Sequence, residues 1–480
     1  MSRLSAIAAA SAAVLLSLNA SAQDRTQPPS PGPPRPLKLP PVERLTLPNG
    51  VPVLLVEAHE VPVVEVALVI RSGAASDPAG RAGVAAMTAD MLDEGAGGKS
   101  SLELADAVEF LGARLATGAS WDFSTVGIHV PVARLAQALP LLADVALRPD
   151  FPERELGRLR KEALTDLLQA RDSPGAVAGA ALARAVFGES HRYALPQSGN
   201  APSLAALTVA DLKAFHAAHY VPGNATLVVV GDVGRSVLGE LQQAFGAWPA
   251  GGAPPPAMPA PAQVKGRTLW LVHRPDSPQS VIRVGRVGPS RSTADYHALE
   301  VANTLLGGSF TSRLNDNLRE QHGYTYGAGS GFAYRRAGGL FGGGADVQAD
   351  ATADAVTQFL KELDRIGVPP SVEETERARN YLALGYAEAF ETTGQIASQI
   401  VEQVVYELPG DVFEAFVPKV LAVGADEIAR VGGQYMGSQD LAIVVVGDRA
   451  AVEEPLRSLA LGAVRTLSID EVMGPAPQID

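Results

Sequence analysis

The chain has 480 residues, 46% of them hydrophobic and 19% charged, which is ample apolar material for more than one core and too little charge for a disordered protein. Its formal net charge of −13 argues against coating nucleic acid or an anionic membrane, since both need clustered positive charge. It has no cysteine, which excludes disulfide scaffolds, thiol nucleophiles, Cys-ligated zinc and iron–sulfur clusters and leaves any metal to carboxylates and the 8 histidines.

In chain order, residues 1–22 read as an export signal. Arg3 supplies a short positive region, 6–18 is apolar apart from serines, and Ala20-Ser21-Ala22 gives a small-x-small cleavage pattern before Gln23. The apolar run is too short to span a bilayer, and no later segment is long and apolar enough. No cysteine follows to form a lipobox. The expectation is cleavage after Ala22 and a periplasmic or secreted protein without a membrane span. A proline-dense spacer occupies 23–42 (PPSPGPPRPLKLPP within it), whose composition favours polyproline II.

The first domain is expected over 43–247. Strands are predicted at 51–56, 61–70 and 122–130, and helices at 81–94, 101–111, 135–147 and 153–171. A second proline/glycine block (WPAGGAPPPAMPAP) marks a linker over 248–265. The second domain, 266–470, repeats the scheme with helices at 293–306, 313–321, 353–366 and 372–388 and strands between, before a tail at 471–480. Strands and helices segregate, so the fold class is α+β, each domain a mainly antiparallel sheet covered by helices.

The two domains look like relatives. Residues 220–232 read YVPGNATLVVVGD and residues 435–448 read YMGSQDLAIVVVGD, each with an aspartate nine residues upstream, Asp211 and Asp426. The offset is 215, becoming 216 at the final GD, and Arg71 precedes Arg286 by 215. Such agreement implies a duplicated unit. The unbroken β-branched runs before each GD imply strands buried on both faces.

Taken singly, the chemical motifs are weak. His216 and His219 sit three residues apart on a predicted helix, the spacing of a ligand pair, but feed straight into a strand and read first as structural. His59, His129, His191, His273 and His297 stand alone, and neither HExxH, HxxEH nor G-x-S-x-G occurs. The glycines at 338–339 and 342–344 lack phosphate-loop spacing and imply a bulge or tight sheet corner, or else an edge that accepts a peptide. The densest polar cluster, 312–326, holds Arg319, Tyr324 and Tyr326. Such groups can polarise a carbonyl or hold an oxyanion, and they are also common at solvated helix ends.

Over 44–465 the sequence resembles the M16 peptidases, the pitrilysin, insulinase and mitochondrial-processing-peptidase family. The resemblance is carried in family order by LPNGVPVLLVEAHEVPVVEVALVIRSGAASDPAGRAGVAAMTADMLDEGAGGKS, LPLLADVALRPDFPERELGRLRKEALTDLLQARDSP, HYVPGNATLVVVGDV and LLGGSFTSRLNDNLREQHGYTYGAGSGF. It implies two homologous domains enclosing a peptide chamber. In active members a helix carries HxxEH, two zinc-binding histidines and a glutamate that activates water. Here those places fall at Ala86, Ala89 and Asp90, and the distal glutamate ligand at or near Asp166. Alanines neither ligate a metal nor move a proton, so no zinc is expected in this chain. The family's substrate-polarising arginine and tyrosine fall at Arg319 and Tyr326, with Tyr324 the alternative if the loop shifts by two. The resemblance thus implies a non-catalytic subunit that binds peptide substrates beside a homologous, HxxEH-bearing partner holding the zinc. A stand-alone peptide-binding or assembly protein without peptidase activity is the alternative, and an autonomous peptidase using another metal site lacks the ligands.

Overall fold

A computed structural model describes residue 32, residues 38–253 and residues 258–479, so the export-signal reading, most of the proline spacer and the centre of the linker lie outside the described residues. Two six-stranded sheets organise the rest. The first contains β1 (Glu43–Thr46), β2 (Pro52–Glu57), β3 (Val63–Ile70), β4 (Arg114–Ala119), β5 (Ser124–Pro131) and β6 (Ala225–Gly231), in the order β1-β2-β6-β3-β5-β4. The second contains β7 (Arg267–His273), β8 (Gln279–Gly288), β9 (Thr325–Ala333), β10 (Gly339–Gln348), β11 (Leu441–Gly447) and β12 (Val464–Leu467), in the order β9-β10-β8-β11-β7-β12.

Apart from their outermost strands β1 and β12, the sheets have the same topology. Each places its GD-preceding strand third from its β1 or β12 end, antiparallel to one neighbour and parallel to the other. All seven residues of β6 and of β11 are buried, as their β-branched sequences require. The outermost strands differ because β1 turns back on β2 as a hairpin, whereas β12 runs parallel to β7.

One face of the first sheet is covered by its own helices: α1 (Val84–Asp90), α2 (Ser101–Phe110), α3 (Leu135–Leu147), α4 (Glu153–Asp172), α6 (Val209–His219) and α7 (Val237–Phe245). Helix α5 (Pro174–Phe187) does something else. Its Val177, Ala181, Leu182 and Val186 pack on Val272, Val281, Val444 and Val446 of the second sheet. The second sheet has its own cover in α8 (Tyr296–Asn303), α9 (Thr352–Arg365), α10 (Val372–Gly385), α12 (Val412–Ala422), α13 (Ala425–Tyr435) and α14 (Arg449–Ser458). It lends α11 (Thr393–Val405) in return: Ala397, Ile400, Val401 and Val405 pack on Leu54, Val56, Val69, Val228 and Val230 of the first sheet. The halves therefore exchange one helix each, within a single compact unit spanning Pro36–Asp480.

Several element boundaries differ from the sequence reading. The helix expected over 81–94 is only α1, because Gly83 enters it at φ 93° and the chain leaves it at Met91. A Cβ on Gly83 would also lie 2.4 Å from the Ser198 carbonyl oxygen, so that entry requires glycine. The helices expected over 293–306 and 313–321 end in wide π-helical turns, Thr304–Gly308 and Asp316–Gln321. The helix expected to reach 388 tightens after Gly385 into a 3₁₀ segment, Tyr386–Phe390.

Candidate functional site

Helix α1 carries three of the residues singled out above. Its first N–H groups are met by Asp77, whose carboxylate accepts from the Gly83 and Ala85 amides at 2.7 and 3.0 Å. Arg192 donates to the same carboxylate at 2.7 Å. Burial raises the Asp77 pKa, opposed by Arg192 and the two amides. Ala86 is half-buried and Ala89 fully buried, while Asp90, one turn beyond Ala86, reaches a cavity of 560 Å³. Asp166 on α4 lines the same cavity, so two residues 76 apart in sequence border one space. Asp90 is open to water but surrounded by protein. Lost hydration, then the charges of Asp93 and Glu94, push its pKa up to about 6.

This donor set does not fit catalytic zinc. Such sites take three protein ligands, commonly imidazoles, with a nearby base, and here two methyl groups occupy two of the places. Among the described residues no group of three or more His, Cys, Asp or Glu side chains is arranged to hold a metal ion. His216 and His219 are structural. His216 Nε2 lies 2.9 Å from the Ala146 carbonyl oxygen, His219 packs against Phe215, and burial lowers both pKa values.

Arg319 lies on the second π-helical turn. Its guanidinium pairs with Glu320 at 2.9 Å and lies over the Phe310 ring, 4.5 Å from its centroid. Tyr326 is the second residue of β9, the edge strand of the second sheet, and is 93% exposed. It lines a groove of 750 Å³ floored by the glycines of β9 and β10. Tyr324 instead packs on the second core and against His322. Of the two tyrosines, Tyr326 is the one facing open space. Arg319 does not line this groove, and the groove is separate from the Asp90 cavity. Helix α5 contributes Leu182 to the first and Ala183 to the second.

The glycines at 342–344 form no bulge. They pair in regular register with Gly331, Ser330 and Gly329, and the register shift falls between Thr325 and Ala328 on β9. Only Gly338, at φ 117°, marks a sheet corner. At Gly343 a Cβ would lie 2.9 Å from both the Gly329 carbonyl oxygen and the Phe359 ring, so close packing accounts for that residue.

Two family models match the chain: "Insulinase (Peptidase family M16)" over 52–195 and "Peptidase M16 inactive domain" over 206–382. A peptidase M16 inactive domain from Pseudomonas fluorescens superposes with a TM-score of 0.80 at 29% identity, covering 85% of this chain and 98% of that one. The chain belongs to the M16 peptidase family. An uncharacterized zinc protease of Bacillus subtilis is 24% identical over 75% of this chain and 87% of its own length. A probable mitochondrial-processing peptidase subunit beta of Arabidopsis thaliana is 24% identical over 86% and 79%. A Helicobacter pylori protease shares the fold, with a TM-score of 0.78 at 21% identity. The two sheets are thus the paired M16 domains expected from the duplicated sequence.

Within this M16 frame the sequence reading missed a cluster around Arg335, which also lines the Asp90 cavity. Arg335 is 9% exposed, and its guanidinium lies over Tyr193, Trp121 and Phe187, 4.1, 4.3 and 5.2 Å from the ring centroids. Arg192 lies 5.1 Å from the same Trp121 centroid. These residues come from three distant segments with no common spacing, so no local motif signals them.

Proposed function

We propose that this chain is the exported, zinc-free subunit of a two-chain M16 metalloendopeptidase, acting periplasmically or after secretion. The observation that carries the reading is the pair of alanines, Ala86 and Ala89, at zinc-site places inside an otherwise complete M16 frame. The partner supplies HxxEH, the zinc and the attacking water. This chain supplies a wall of the peptide chamber and two groups, Arg319 and Tyr326, that polarise the scissile carbonyl. The division is chemically sound because a Lewis acid and base can sit on one chain and oxyanion donors on another.

An uncovered aromatic side chain supports pairing. Phe310 is 68% exposed, and aromatic residues are among those that dominate interface energetics. The Arabidopsis relative is itself named as a subunit. The test is to isolate the tagged mature protein from its native host at endogenous level and identify co-purifying proteins by mass spectrometry. An HxxEH-bearing homologue near stoichiometry is expected. Recovery of the chain alone would overturn the pairing and favour a stand-alone peptide-binding or assembly protein.

A further inference from the structure

We infer that Asn315, with the bulge it pins in β9, is a positioning residue that holds the segments carrying Phe310, Arg319 and Tyr326 in fixed relation. This rests on the reading of Arg319 and Tyr326 as groups that polarise a carbonyl, and adds what keeps two groups on different elements aimed together.

Asn315 ends the short helical turn Arg313–Asn315 and is buried. Its Oδ1 accepts the Ala328 amide of β9 at 2.9 Å, and its Nδ2 donates to the Ser309 carbonyl oxygen at 3.3 Å. One carboxamide thus joins three stretches: Ser309 adjoins Phe310, Asn315 lies one helical turn before Arg319, and Ala328 follows Tyr326 by two residues. An amide side chain supplies that donor and acceptor at once, which an ionised carboxylate cannot. Arg313 and Asn317 tie the same segment elsewhere, to Glu374 on α10 at 2.8 Å and to Glu362 on α9 at 2.7 Å. Of the three, Asn315 is the one bonded to the stretches that bear Phe310 and Tyr326.

Each of its bonds falls where the backbone departs from regularity. Between Thr325 and Ala328, β9 has one residue more than β10, so Tyr326 and Gly327 stand together opposite Asp346. A bulge re-aims a side chain, and this one leaves Tyr326 exposed on the edge strand. Its near end is bracketed by the Thr325 hydroxyl, which accepts the Gly327 amide at 3.1 Å and donates to the Gly327 carbonyl oxygen at 2.9 Å. Its far end is pinned by Asn315. The turn leading to Phe310 is seated against the same strand. A Cβ on Gly307 would lie 2.4 Å from the Ser330 nitrogen, and the Ser330 hydroxyl donates to Asn303 Oδ1 at 2.8 Å. Phe310 is thereby kept beneath the Arg319 guanidinium.

The test joins amide exchange in the isolated mature chain to turnover in the proposed two-chain enzyme. Asn315→Ala should speed exchange of the Ala328 amide about ten-fold or more relative to the β11 amides, because it leaves a buried N–H unmet. In the pair it should lower kcat about ten-fold or more with KM little changed. Combined with Tyr326→Phe, it should cost less than the product of the two separate effects. Asn315→Asp keeps the acceptor and loses the donor, so it should leave Ala328 protected and recover most of kcat. Because Asn315 is buried, thermal unfolding accompanies its variants, and Thr325→Val, at the half-buried near end of the bulge, is an independent arm. It should lower kcat in the native chain and not in one already carrying Tyr326→Phe. Unchanged Ala328 exchange in Asn315→Ala would overturn the inference. A loss of turnover in Tyr326→Phe with none in Asn315→Ala or Thr325→Val would overturn it alone and leave the carbonyl-polarising reading standing. Turnover untouched by both Tyr326→Phe and Arg319→Ala would remove that reading and the positioning role together.

Discussion

The carboxylate of Asp90, at a place that the M16 resemblance assigns to a zinc-binding imidazole, has measurable consequences. Lost hydration from the surrounding protein, then the charges of Asp93 and Glu94, raise its pKa from 3.8 to about 6, so between those values the native chain holds a proton that the unfolded chain has released. Ionisation above pH 6 therefore works against folding. Asp90→Asn should raise the melting temperature at pH 8 and lose that advantage below about pH 4; thermal unfolding of both proteins at the two pH values checks this, and an equal gain at both would rule out a charge penalty. In the proposed two-chain enzyme, once purified, Arg319→Ala or Tyr326→Phe should lower turnover on the order of 10²-fold without dissociating the pair. Unchanged turnover would remove these residues from the mechanism. Among single residues, Ala86, Ala89, Asp90 and Asp166 were singled out only through the resemblance, and the fold places Asp90 and Asp166 on one cavity. The sequence was silent on Arg335, whose role depends on Trp121 and Tyr193 arriving from elsewhere in the fold.

At the scale of elements, Arg313 ties the turn that precedes Arg319 to α10. Its Nε and Nη2 donate to the Glu374 carboxylate at 2.8 and 3.0 Å, and Glu374 also caps α10 by accepting from the Ser371 amide. These bonds, led by those from Arg313, hold the Glu374 pKa down to about 2. The stabilisation is present above about pH 4.5 and is lost as pH falls toward 2. Glu374→Gln should cost on the order of 3 kcal/mol at pH 7, read by denaturant titration, since it leaves a buried guanidinium partly unmet. The exchanged helices carry a different weight. Ile400→Ala in α11 should cost about 2–5 kcal/mol, and hydrogen exchange should rise first in the β6 amides of the opposite domain. Neither exchanged helix was found in the sequence. Helix α5, PGAVAGAALARAVF, is rich in helix-favouring alanine but carries alanines on every side, so it shows no polar face from which a periodicity could be read. Helix α11 is amphipathic, but its apolar stripe names no partner, because periodicity reports burial without reporting what does the burying.

Over the whole molecule, the domain boundaries visible in the sequence separate two sheets but not two folding units. A fragment of residues 38–253 would leave Leu54, Val56, Val69, Val228 and Val230 without α11, and the apolar face of α5 without a sheet. It is expected to lack a cooperative unfolding transition and to bind a hydrophobic dye, while co-expression with 258–479 restores both cover and cooperativity. A fragment that unfolds cooperatively by itself would contradict this. The same reciprocal cover limits how the chain can move. Two plates that each hold a bolt driven through the other do not hinge apart; to part them, a helix must be drawn out of a sealed core. In the two-chain chamber proposed above, this chain would therefore travel as one rigid half of the jaw, and a peptide would enter along the seam between chains.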